Sequence, residues 1–175
     1  KGVGALYIKR GTEVEPVLWG GSQESGLRGG TPNVPLAGSF AVALKEAQEG
    51  TEARAQKTAE VRDYLFERIK AELPDAVING PALGVERAAN SLNVSIPGLE
   101  AQMAVVSLSA LGVAASTRSA CNMGDEEPSH VIQALGVPKE LAGTAIRLTL
   151  LPDATRADAD IITAALKETA ERYRQ

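Results

Sequence analysis

Cys121, the one cysteine in the chain, stands in the run Ser116-Thr117-Arg118-Ser119-Ala120-Cys121-Asn122-Met123-Gly124-Asp125-Glu126-Glu127-Pro128-Ser129-His130. A lone thiol in an apolar strand would be packing. Here it lies among small and polar residues just ahead of a helix start, where no core encloses it. Only the thiolate is a strong nucleophile and metal ligand, and it must be accessible to act. Arg118 favours the thiolate and Asp125, Glu126 and Glu127 oppose it, so the sign of the balance stays open. The segment Asn122-Met123-Gly124-Asp125 has the polar, flexible composition of a loop that can swing. The competing explanation is an idle surface cysteine.

Arg147 is the second candidate. In Ala145-Ile146-Arg147-Leu148-Thr149-Leu150 the apolar Ile146, Leu148 and Leu150 alternate with Arg147 and Thr149, which places the guanidinium on the face away from the packing surface of a strand. A guanidinium held on a strand can grip a carboxylate through two parallel hydrogen bonds; an isolated arginine can equally make an ordinary surface ion pair. The third candidate is the glycine-rich stretch Gly20 to Gly30, which runs into a helix start at Thr31-Pro32-Asn33. Glycines let the backbone approach an anion, and a helix N-terminus favours negative charge, although an ordinary connection has the same composition. Arg28 and Gln23 support this loop, and Asn33 suits a helix cap better than a ligand. His130, the single histidine, could serve as an acid or base, but its place at a helix start after Pro128-Ser129 favours a structural role. No cysteine, histidine and carboxylate cluster suggests a metal site.

The elements that must hold these residues follow from periodicity. Val3 to Ile8 is expected as a short buried strand, with a second around Val14 to Leu18. Helix follows from Val34 to Leu73, with apolar stripes at Phe40, Leu44 and Ala47 and at Val61, Leu65 and Ile69; Gly50 either separates two helices or bends one, and Pro74 ends the run. Asn90 to Ile96 alternates as a half-buried strand. A helix bearing Leu99, Met103 and Val106 runs to Gly112, and a short strand over Val113 to Ala115 delivers the cysteine loop. Ser129 caps a short helix ending near Gly136, and Thr155 starts a final amphipathic helix carrying Ile161, Ile162, Leu166 and Tyr173. Strands alternating with helices make an α/β or α+β domain.

Composition sets limits. The 175 residues suit one domain, with at most a fringe of another. The hydrophobic fraction of 44% and charged fraction of 23% are those of a soluble globular protein, and a net charge of -4 gives no reason to expect direct nucleic-acid binding. No apolar run reaches the roughly 20 residues of a membrane helix, so no membrane partner is expected. A single cysteine cannot form an internal disulfide, which suits a reducing cytoplasmic setting.

The cysteine segment resembles that of the NifS/IscS-like cysteine desulfurases, pyridoxal-phosphate enzymes of the class-V aminotransferase group, in which Ser-Ala-Cys is followed at this spacing by Glu-Pro-Ser-His or Glu-Pro-Ser-Tyr. The matching residues are Ser119-Ala120-Cys121 and Glu127-Pro128-Ser129-His130. Further blocks match in family order across nearly the whole chain: Lys1-Gly2-Val3-Gly4-Ala5-Leu6-Tyr7, the stretch from Gly20 to Asn33, Asn90-Ser91-Leu92-Asn93-Val94-Ser95, and Ala145 to Leu150. The resemblance implies the small C-terminal domain of a fold-type I pyridoxal-phosphate transferase. Residues 1–33 would be the tail of the large cofactor-binding domain, and residues 34–175 the bridging helix and the small domain with its cysteine loop. It implies that Cys121 takes sulfur from L-cysteine as a persulfide, releasing alanine, and passes it to an acceptor such as an iron-sulfur scaffold protein or for tRNA thiolation. Arg147 would bind the substrate carboxylate, and Thr31 the cofactor phosphate of the other subunit in a homodimer.

The same resemblance places the lysine that holds the cofactor covalently a few residues before the block that opens this chain, with the ring-stacking histidine and the aspartate partner of the pyridine nitrogen further upstream. Lys1 matches the later, non-catalytic lysine of the family's Gly-Pro-Lys-Gly run. The expectation is therefore the C-terminal part of a longer enzyme, or one half of a split one, inactive by itself. Thr117-Arg118 stand where relatives carry Ser-Gly, Leu151-Pro152 where they carry Gly-Arg, and Ser25 where they carry arginine. Two other functions compete: a class-V aminotransferase or selenocysteine lyase, and a non-catalytic binding or dimerisation fragment.

Overall fold

The alternating segments pair with one another. In the computed structural model, which describes residues 2–83, 87–117 and 128–174, Ser91–Ser95 (β2) and Ala145–Thr149 (β3) run antiparallel in the register Leu92 opposite Leu148 and Val94 opposite Ile146. The short β1 (Val77–Ile78) adds to the other edge of β2, giving the order β1-β2-β3. Period-two alternation sends Leu92, Val94, Ile146 and Leu148 to one face, and all four are buried.

Helices cover that face. The chain divides into two units, 1–51 and 52–175, and the sheet belongs to the second. Its core joins Val61, Leu65 and Ile69 of α2 (Thr51–Glu72), Ala104 and Leu108 of α3 (Ala101–Ala110), and Ala159, Leu166 and Ala170 of α6 (Arg156–Tyr173) to the apolar residues of β2 and β3. Helix α6 begins with a reciprocal cap in which the Asp158 amide donates to the Thr155 hydroxyl at 3.3 Å and the Thr155 amide donates to the Asp158 carboxylate at 2.8 Å. This satisfies N–H groups that a helix start otherwise leaves without partners. On the rim, Lys167 pairs with Glu72 at 2.8 Å and Arg68 with Asp160 at 2.9 Å, tying α6 to α2. Arg62 of α2 is buried, yet its guanidinium holds Asp63 at 2.7 Å and donates to the Ala88 carbonyl at 2.9 Å, as a buried charge requires.

Among the described residues, the opposite face of the sheet is covered at one end. There α4 (His130–Ala134) and α5 (Lys139–Ala142) contribute Ile132 and Ala142, which pack with Ala145. The Ser95 hydroxyl donates to the Leu141 carbonyl at 2.9 Å and is fully buried. Toward the middle of β3 that face carries the exposed Arg147.

The first unit contains α1 (Val34–Gln48), entered through Asn33, whose side chain accepts the Leu36 amide at 3.1 Å. Gly50, at φ 70°, separates α1 from α2. Before α1 lies a loop closed by a glycine crossing. Gly29 passes so close to Gly20 that a Cβ on Gly29 would lie 2.7 Å from the Gly20 Cα, and Leu18 and Arg28 form a single parallel bridge.

Several expectations are corrected. Residues 3–8 and 14–18 form no strand: Leu6 and Tyr7 are 77% and 87% exposed, and an extended segment becomes a strand only with a neighbour to share its hydrogen bonds. The apolar stripe expected on α1 buries nothing, since Leu44 and Ala47 are exposed and Phe40 half-buried. On α3 the inward face is Ala101, Ala104 and Leu108, with Met103 and Val106 facing solvent. Ile161 of α6 is likewise exposed. Val113 to Ala115 is not a strand; pairing begins only at Ser116. Ser129 precedes α4 but its side chain accepts no capping bond, and the Gln133 side-chain Nε2 donates to the Pro128 carbonyl at 2.9 Å.

Candidate functional site

Arg147 sits on the second face of the sheet. Its neighbours Ile146 and Leu148 point into the core and are buried, while Arg147 is exposed on the other side. Asn93 lies directly opposite it on β2. On its other flank Ser116 pairs with it antiparallel: the Ser116 amide donates to the Arg147 carbonyl at 3.1 Å, and the Arg147 amide to the Ser116 carbonyl at 2.6 Å. The guanidinium Nη2 then donates to the Ser116 hydroxyl at 3.3 Å. Residues directly opposite in a ladder project to the same face, so Asn93, Arg147 and Ser116 form a polar row across the sheet.

The row extends one residue further. Asn79, just past β1, donates through Nδ2 to the Asn93 side chain at 2.7 Å and to the Ser95 hydroxyl at 2.9 Å, and its amide donates to the Asn93 carbonyl at 2.9 Å. Asn79 is buried and Arg147 exposed, so the row grades from a fixed, dry end to a wet one that a ligand can reach. A guanidinium held this way suits recognition of a carboxylate.

Ser116 lies five positions ahead of Cys121. Cys121 itself, with Arg118 and the acidic residues after it, falls outside the described residues. His130 is the exposed first residue of α4. Thr31, in the first unit, is exposed at the end of the glycine loop. The loop is braced by the Gly30 amide donating to the Gln23 side chain at 3.3 Å and by the Arg28 guanidinium on the Gly29 carbonyl. Arg28 and Gln23 thus support the loop backbone, and Asn33 caps α1.

Sequence reasoning missed Ser116, Asn93 and Asn79. Asn93 carried a signal, since it alternates with Leu92 and Val94; Ser116 and Asn79 carried none, because their partners are distant in sequence.

The family model described as aminotransferase class-V matches residues 1–162. The chain belongs to the class-V aminotransferase family. It is similar to the cysteine desulfurase of Trichormus azollae, 36% identical over 174 residues that cover 99% of this chain and 43% of the relative. The cysteine desulfurase IscS of Dictyoglomus turgidum is 37% identical over 174 residues, covering 99% of this chain and 44% of that one. Among solved structures, a NifS-like protein superposes with a TM-score of 0.77 at 30% identity, covering 95% of this chain and 41% of its own. The mixed helix and sheet architecture is therefore that of the NifS-like transferases. The chain spans less than half the length of the curated relatives it matches.

Proposed function

We propose that this chain is the part of a pyridoxal-phosphate-dependent cysteine desulfurase that carries the sulfur-accepting cysteine, and that the whole enzyme converts L-cysteine to L-alanine. The observation that carries the reading is Arg147, exposed on the second face of the sheet and paired through Ser116 to the chain leading to Cys121. The similarity to proteins named cysteine desulfurase over nearly the whole chain supports it. A solved relative described as SspA in complex with cysteine has a TM-score of 0.52 at 30% identity over 83% of this chain, which supports cysteine as the substrate.

Arg147 grips the substrate carboxylate and orients the amino acid. Thr31 offers a hydroxyl donor at the exposed end of a braced loop, a group of the right chemistry for a cofactor phosphate, contributed to the other subunit of a homodimer. Pyridoxal phosphate, when bound, supplies the electron sink that weakens the substrate's carbon–sulfur bond. The Cys121 thiolate attacks the substrate sulfur: a sulfur–sulfur bond forms, the carbon–sulfur bond breaks with its electron pair retained on carbon, and protonation of that carbon yields alanine. The persulfide on Cys121 is then passed to an acceptor protein for iron-sulfur cluster or thiolated tRNA synthesis. Residues 1–33 belong to the large cofactor-binding domain in this reading, and 34–175 to the bridging helix and small domain. A reducing, cytoplasmic setting suits the single thiol; no helix among the described residues is long and apolar enough to cross a membrane.

The test is cysteine-dependent alanine release by the whole enzyme. Loss of release and of trypsin-mapped persulfide in Cys121→Ala is the expected result. Unchanged turnover in that variant would replace this reading with a lyase or aminotransferase that needs no thiol.

A further inference from the structure

We propose that Ser116 is a positioning residue for Arg147, holding the guanidinium in the orientation that receives the substrate carboxylate. The assignment rests on the desulfurase reading and deepens it.

An exposed arginine samples many rotamers, and a ligand that needs one of them must meet the cost of ordering it. Arg147 is exposed on a strand and has no salt-bridge partner among the described residues. Its side chain is directed instead by the Ser116 hydroxyl, which accepts from Nη2 at 3.3 Å. That bond engages one of several guanidinium N–H donors and leaves others for an incoming anion. A carboxylate in place of Ser116 would hold the arginine as firmly but would neutralise it; a neutral hydroxyl orients the charge without competing for it.

The position of Ser116 is itself held by backbone. The two residues exchange both amide–carbonyl bonds, at 3.1 and 2.6 Å, so replacing the hydroxyl leaves the pairing intact. From the other side Asn93, braced by Asn79 at 2.7 Å, bounds the row. The hydroxyl is thus the part of this contact that acts on the guanidinium. Because Ser116 opens the chain toward Cys121, the carboxylate clamp and the root of the nucleophile's segment share a single residue pair.

The test compares Ser116→Ala, Ser116→Thr and Arg147→Gln with the parent in the whole enzyme. L-Alanine binding is measured by calorimetry, L-cysteine turnover by KM and kcat, and inhibition by cysteamine, which keeps the thiol and amine but lacks the carboxylate. Ser116→Ala should raise the L-alanine Kd and the L-cysteine KM about three- to ten-fold, with kcat within about two-fold and cysteamine inhibition unchanged. Ser116→Thr should restore both constants. A merely structural role would weaken cysteamine and L-cysteine alike or lower Tm, and either result overturns the assignment, as does an unchanged L-alanine Kd. Arg147→Gln separates the two levels: if it loses L-alanine binding while Ser116→Ala does not, only the role of Ser116 falls. If Arg147→Gln binds L-alanine as the parent does, the carboxylate site falls with it.

Discussion

Asn93 and Arg147 face each other across two antiparallel strands, and only Asn93 is tied to a buried side chain, that of Asn79. Asn93 accepts from the buried Asn79 side chain at 2.7 Å, whereas Arg147 reaches outward to Ser116 at 3.3 Å. The row is anchored at one end and adjustable at the other, which is what a ligand-binding arginine needs: a fixed base and a head that can still form new bonds.

Asn79 is the anchor. Its amide group serves both Asn93 and Ser95, and truncating it strands the Asn93 oxygen beside the sheet. Asn79→Ala should destabilise the protein by about 1–3 kcal/mol, the cost of leaving such groups unpaired. Equilibrium urea unfolding measures this directly. A variant as stable as the parent would show that water replaces the lost amide without penalty.

The glycine crossing makes a sharper steric prediction. A methyl on Gly29 would lie 2.7 Å from the Gly20 Cα, where only backbone could give way, while one on Gly4 meets nothing within 4 Å. Gly29→Ala should therefore open the loop that carries Thr31 and weaken retention of pyridoxal phosphate by the whole enzyme, with Gly4→Ala as the silent control. Cofactor content after dialysis reads the difference, and equal retention in both variants would remove the crossing from any role at Thr31.

The start of α6 predicts a pH dependence. The Thr155 hydroxyl, and then its amide, hold the Asp158 carboxyl below the usual 3.8 of an aspartate. A carboxyl whose folded pKa is depressed contributes stability that is complete above its unfolded pKa and is lost as pH falls through the folded value. Thr155→Ala should lower Tm by about 2–4 °C at neutral pH, and the gap between parent and variant should narrow as the pH drops below about 3.8. Thermal scans across that range decide it; a constant gap would mean that the hydroxyl caps the helix without engaging the carboxylate. The Glu72 carboxyl, lowered through its hydrogen bond to Lys167, titrates in parent and variant alike and cancels in the comparison.

What was legible in the sequence is what local patterning controls. The alternation of Leu92, Val94, Ile146 and Leu148 names the two longer strands and their buried faces, because a strand's side-chain period is set by its own backbone. Asn33 and Thr155 announce helix starts, because a cap bonds an amide only a few residues away. Arg147 could be placed on the solvent side of its strand for the same reason.

Only the tertiary structure decided the rest, and in each case the cause is a partner distant along the chain. Residues 3–8 have a strand's composition but no described strand beside them, and a ladder needs two sides. Met103 and Val106 are as apolar as Leu108, yet α6 packs on the face bearing Ala104 and Leu108, so the two larger residues are left in solvent. Ser116 reads as one small residue among several until β3 arrives beside it, 31 positions later in sequence. The sequence by itself determined which residues could do chemistry and which strand faces they share. The pairing of β3 with Ser116 and Asn93 decided which of them meet, because hydrogen-bond partners across a sheet are chosen by how distant segments pack and not by the residues next to them.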